Sequence, residues 1–490
     1  MVPAFSGTAK NPAVEHNPAE FFYRPQDAWA GDFIPLYANG EFQLFYLHDW
    51  RNESAHGEGM PWYRISTADF VHIKEHGEVL KRGSELEQDL YVFTGSAIQA
   101  QDGFHIFYTG ENPHLGKQGK PEQAIMHAVS TDLQTWTKLS EQTLFAPTDK
   151  YEKNDWRDPF VFWNPETSEY NMLVAARQKE GIPRRCGLTA LCSSKDLVKW
   201  QVREPFYAPG IYRAHECPDL FKMGDWWYLL FSDDADRRRT RYRMSRSLQG
   251  PWITPSRDDL DECAFYAAKS ASDGKYRFLF GWNPTRSGAK DKGDWDWGGN
   301  LVVHELFQER DGRLGVKIPK SVAGAFTKTV PLSFESGSGK VQYSNGVLQL
   351  DARETFVAIA AGAQPRLCRI NATAKFERGT KEFGLMFRTS RDFDNSYYVR
   401  IESQNNRLVF DMWPRDKPNV PQMAELERPL DLSGSDTVNM TVLIDGNKGV
   451  AYINNSIAMN FRAYDLPDGN WGFFATDGVV TFSNIEITTL

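Results

Sequence analysis

Apolar and aromatic residues alternate along short runs of this chain, and one such run recurs. A turn pair leads into it at Asn39-Gly40-Glu41-Phe42-Gln43-Leu44-Phe45-Tyr46 and at Asp102-Gly103-Phe104-His105-Ile106-Phe107-Tyr108. It returns at Ser168-Glu169-Tyr170-Asn171-Met172-Leu173-Val174, at Gly224-Asp225-Trp226-Trp227-Tyr228-Leu229-Leu230 and at Asp273-Gly274-Lys275-Tyr276-Arg277-Phe278-Leu279-Phe280. The copies lie roughly 50 to 65 residues apart, and each reads as a hairpin into a strand. A second element follows several copies: Ser66-Thr67-Ala68-Asp69-Phe70, Ser130-Thr131-Asp132-Leu133 with Trp136, Ser193-Ser194-Lys195-Asp196-Leu197 with Trp200, and Ser245-Arg246-Ser247-Leu248 with Trp252. A small polar cluster before a Trp-bearing strand suits the outer edge of a blade. The pattern predicts an all-β fold with a five-bladed β-propeller over residues 20–318. Two β-sandwiches with coincidentally similar hairpins would be the bland alternative.

Beyond Pro319 the cadence changes. The stretch 319–340 closes on Ser336-Gly337-Ser338-Gly339 and reads as a linker region. Short strands separated by Gly, Asn and Asp turns then fill 341–490, among them Phe383-Gly384-Leu385-Met386-Phe387 and Trp471-Gly472-Phe473-Phe474-Ala475, the rhythm of a β-sandwich.

Composition narrows the function. A length of 490 residues favours two domains over one. Aromatic content of 13%, with 15 Trp, suits strands and the flat platforms on which sugar rings stack. A net charge of -8 argues against a nucleic-acid partner. The basic run Arg237-Arg238-Arg239-Thr240-Arg241 follows Asp233, Asp234 and Asp236 and reads as a self-compensated loop. Cys186, Cys192, Cys217, Cys263 and Cys368 show neither disulfide nor metal spacing, so no disulfide framework or zinc site is expected. Neither a signal-type apolar segment nor a membrane span is legible, which points to a cytoplasmic protein, or to a secreted one whose signal peptide has been removed. Oligomeric state is not readable.

Three acids stand ahead of the recurring strands. Asp32 lies in Trp29-Ala30-Gly31-Asp32-Phe33, Asp158 in Trp156-Arg157-Asp158-Pro159-Phe160, and Glu216 in His215-Glu216-Cys217-Pro218-Asp219. Proline restricts the residue before it, so Cys217 is expected extended, with Glu216 where its strand begins. In a propeller the inner strands converge on one funnel, which would bring the three acids together at equivalent places. Two carboxylates across a glycosidic bond, one protonated and one ionised, are what glycoside hydrolysis needs. The third can hold sugar hydroxyls, and Arg157 can offset their mutual repulsion.

Arg157-Asp158-Pro159 and Glu216-Cys217-Pro218 resemble the Arg-Asp-Pro and Glu-Cys-Pro motifs of glycoside hydrolase family 32, the invertase, inulinase and levanase group. Trp29 to Tyr46 is similar to the family's nucleophile segment, and Phe93-Thr94-Gly95-Ser96 to its Phe-Ser-Gly-Ser segment. The resemblance covers nearly the whole chain. It implies Asp32 as nucleophile, Glu216 as acid/base, Asp158 gripping the fructosyl hydroxyls, and Arg157, Trp62, Phe93, Ser96 and Trp282 around the pocket. The substrate implied is a β-fructofuranoside, hydrolysed with retention or passed to another sugar, by a mechanism that needs no metal and no cofactor. One departure stands out: the family's first motif reads Trp-Met-Asn-Asp-Pro-Asn-Gly, whereas Gly31 here takes the asparagine's place beside Asp32. Two other readings remain open: an inverting arabinan-type furanosidase on the same propeller, and a non-catalytic sugar-binding protein.

Overall fold

The computed structural model describes residues 14–15, 20–414 and 424–490, and they form an all-β protein. Helices are confined to short turns such as Glu53–His56, Pro113–Lys117 and Lys320–Ala325. None of the described helices is long and apolar enough to cross a membrane. The five cysteines are unpaired.

The recurring sequence pattern becomes a series of antiparallel meanders over 29–80, 91–138, 151–202, 216–245 and 266–317. Their first strands are β1 (Trp29–Ala38), β2 (Tyr91–Ala100), β3 (Tyr151–Asn164), β4 (Glu216–Met223) and β5 (Tyr266–Ser272). Each of these packs beside the next, and β5 packs beside β1. The pairing of Gly299 with Ala30 joins the last meander to the first. The second recurring element forms the turn into the fourth strand of a meander. Asp69, Asp132 and Asp196 each accept two backbone N–H groups there, which fixes the same local turn three times.

Every one of the five first strands is interrupted at its upstream end. The register shifts between Gly31 and Ile34, Phe93 and Gly95, Arg157 and Phe160, Glu216 and Asp219, and Tyr266 and Lys269. At four of these bulges one residue is left-handed: Asp32 (φ 49), Asp158 (φ 57), Cys217 (φ 50) and Ala267 (φ 50). Two expectations are corrected here. Cys217 is not extended before its proline, because the bulge overrides the local preference. Nor are the three acids equivalent: Asp32 and Asp158 share the left-handed position, whereas Glu216 stands one residue earlier, matching Gly31, Arg157 and Tyr266.

The C-terminal part comprises an eight-stranded and a seven-stranded sheet. Their facing side chains, among them Ile370, Phe383, Val399, Phe473 and Phe482, share one core. Within the stretch read as a linker, Lys328–Thr329 pairs with Val479–Thr489, and Ser336–Ser338 pairs with Phe356–Ala363. The eight-stranded sheet also closes against the meanders. Leu443, Val450 and Tyr452 join a core containing Phe22, Tyr23 and Leu301. Arg462 donates to the carbonyls of Asn283 and Pro284, and Arg428 to Asp259.

Candidate active site

Because the bulges lie at matching ends of neighbouring strands, the side chains they carry face one cavity of about 820 Å³. Asp32, Asp158 and Glu216 all line it, with Arg157, Phe93 and Thr94. Strand alternation alone would not aim consecutive residues inward; an extra residue at each bulge does.

Each acid is held differently. Asp32 accepts the indole N–H of the fully buried Trp282 at 3.1 Å. Burial, then the neighbouring Asp158 charge, push its carboxyl up to about 7, and the Trp282 bond pulls the other way. Asp158 is buried, and its Oδ2 accepts the Cys217 backbone N–H at 2.9 Å. Its own N–H donates to Thr109 Oγ1 at 2.8 Å, which fixes the bulge. Burial raises the Asp158 carboxyl, opposed chiefly by Arg157. Glu216 accepts from Arg157 Nη2 at 3.1 Å and from the Tyr266 hydroxyl at 2.6 Å. Arg157 also donates to Asp155 at 2.6 Å and lies 3.9 Å from Asp158. One guanidinium therefore bridges three carboxylates, which explains how so many acids share one cavity.

The expected pocket walls divide. Phe93 and Arg157 line the cavity. Trp62 does not: it is fully buried behind the wall, its indole donating to the Phe93 carbonyl at 3.2 Å. Ser96 is likewise set back, accepting the Val161 N–H at 3.0 Å and so tying β2 to β3. Trp282 supports Asp32 from beneath rather than facing the cavity. Sequence reasoning missed Tyr266, Asp155, Asp234, Arg238 and Trp297, all of which line the cavity. For Tyr266 a signal existed, since it opens the strand of the fifth copy where Glu216 opens that of the fourth. Outside the cavity's lining, Glu58, Glu85 and His114 bring metal-type donor atoms within 4.8 Å of one another.

Comparison with known proteins points the same way. Residues 23–311 match the family described as Glycosyl hydrolases family 32 N-terminal domain. The chain is similar to a raffinose invertase of Escherichia coli, 27% identical over 338 residues, covering 64% of this chain and 67% of that protein. It is also similar to a sucrose-6-phosphate hydrolase of Escherichia coli, 24% identical over 487 residues, covering 95% and 93%. Among solved structures, fructan 1-exohydrolase IIa from Cichorium intybus shares the fold, with a TM-score of 0.73 at 16% identity, covering 99% of this chain and 98% of that one.

Proposed function

The chain belongs to glycosyl hydrolase family 32, and from that premise we propose that it is a retaining β-fructofuranosidase working by double displacement. Asp32 is the nucleophile, Glu216 the acid/base, and Asp158 the residue that grips the fructosyl hydroxyls. Glu216 gives its proton to the leaving oxygen as Asp32 attacks the anomeric carbon. Water then enters, Glu216 takes back a proton, and the bond to Asp32 breaks. Transfer to a sugar hydroxyl is the same second step with another acceptor. The route needs the two carboxyl groups about 5–5.5 Å apart.

The observation supporting this reading is that the bulges bring Asp32, Asp158 and Glu216 onto one cavity, with Arg157 donating to Glu216 and lying 3.9 Å from Asp158. Paired carboxyls at one anomeric carbon are what double displacement requires. Which of them attacks and which gives the proton follows from the resemblance of their motifs to the family's. We read the meanders as the blades of a five-bladed propeller over 20–318 that carries the catalysis, with 319–340 leading into a sandwich over 341–490. The names of the relatives, raffinose invertase and sucrose-6-phosphate hydrolase, support a fructoside as substrate. A product screen over sucrose, 1-kestose, inulin, levan and arabinosides tests it. Fructose release is the expected result, and release of arabinose alone would replace the assignment.

A further inference from the structure

Positions 31 and 297 are built as a pair beside Asp32. A Cβ on Gly31 would lie 2.5 Å from Cζ2 and 2.9 Å from Cε2 of Trp297, so the indole occupies the space into which any side chain at 31 would project. The indole is fixed in that place. A register shift between Pro284 and Arg286 leaves the three residues between Trp295 and Gly299 out of the ladder, and Trp297 is the middle one. Gly298 is left-handed there (φ 78), and a Cβ on Gly299 would come within 1.8 Å of the Asn283 carbonyl oxygen. Arg51 donates to the Trp297 carbonyl, lies 3.6 Å from Asp296 and stacks over Trp29 at 4.3 Å. The Trp297 ring meets that of Trp282, the donor to Asp32, at 5.8 Å. Its free surface lines the cavity with Leu47, Met60 and Phe93.

We propose that Trp297 is the specificity-determining platform of this site. The sugar unit beside Asp32 packs an apolar face on the indole and takes no hydrogen bond from position 31. An aromatic face there contributes area and shape, whereas a polar side chain would have contributed direction. This rests on the fructosidase reading and adds to it how the sugar is selected.

Four variants test it by steady-state kinetics on sucrose and 1-kestose. Trp297→Ala should raise KM about threefold to tenfold, an aromatic contact's worth, while kcat stays within about twofold. Trp297→Phe keeps a flat ring and should recover most of the loss. Gly31→Ala displaces the indole and should copy the Trp297→Ala defect, whereas the double variant should be no worse than either alone. An unchanged KM in Trp297→Ala overturns the proposal, and so does a kcat loss at constant KM or a Gly31→Ala effect that adds in full. Calorimetric titration with free fructose separates the two readings. If no fructoside is cleaved but fructose binds and Trp297→Ala abolishes the binding, the fructosidase reading falls and the platform stands. If the wild type binds no fructose, the platform falls too.

Discussion

Asp32 sits between opposing influences: burial and the Asp158 charge raise its carboxyl to about 7, and the Trp282 indole lowers it. The proposed role as nucleophile requires it ionised, so on that proposal the acid limb of kcat/KM should follow this group in the free enzyme. Asp158→Asn removes a raising charge, so the limb should move to lower pH. Trp282→Phe removes a lowering bond, so the limb should move to higher pH. Two shifts of the same sign in the pH profiles would contradict this account. Stability carries the same signature. The folded pKa lies above the ordinary carboxyl value, so the protonated group is tolerated below about pH 4 and the cost of burying its charge grows as pH rises to about 7. Asp32→Asn should therefore leave stability unchanged at pH 3.5 and raise it at pH 8 by on the order of 4 kcal/mol. Denaturant melts at both pH values check it. Glu216→Gln should lower kcat by about 10²–10⁴. The acids themselves were legible as types, since Asp and Glu next to Arg157 and two Pro-containing tripeptides are distinctive. Trp297 was not, because an aromatic residue in an aromatic-rich β chain carries no mark of where it faces; Tyr266 was marked only by opening the fifth copy's strand where Glu216 opens the fourth's.

Strands and their repeats were readable because hairpin turns and alternation are local. The bulges were not. Their left-handed residues are two Asp, a Cys and an Ala rather than glycines, and Asp158 and Cys217 both precede proline, which locally favours extended backbone. Tertiary anchors decide the matter: Thr109 holds the Asp158 N–H, and Asp158 in turn holds the Cys217 N–H. This is also why Glu216 stood apart from the other two acids by one residue, a shift that reverses a strand's faces unless a bulge absorbs it. Ala267 is the bulge residue of β5 and lines the cavity beside Tyr266. Ala267→Val puts a branched side chain at positive φ and should cost about 1–3 kcal/mol of stability, along with activity lost through misplacement of Tyr266. An unchanged melting temperature would argue against the strain.

On the scale of the molecule, the change of cadence after Pro319 was plain in the sequence, whereas the seam between the two parts was not. It joins residues far apart in the chain: Asn460 donates to Asp261, and Arg428, almost fully buried, donates to Asp259. No local pattern announces such partners. Asp259 keeps its pair with Arg239, so Arg428→Ala removes a charge-assisted bond without orphaning a charge and should cost about 1.5–3 kcal/mol, and calorimetry should show a single transition moving to lower temperature. Two separate transitions in the wild type would mean that the parts unfold independently. The central claim concerns the acids that the meanders bring together, and stereochemistry tests it most directly. NMR of the first turnovers on sucrose, recorded before the released sugar equilibrates, should find fructose as the β-anomer. The α-anomer appearing first would contradict attack by Asp32 and the double displacement built on it.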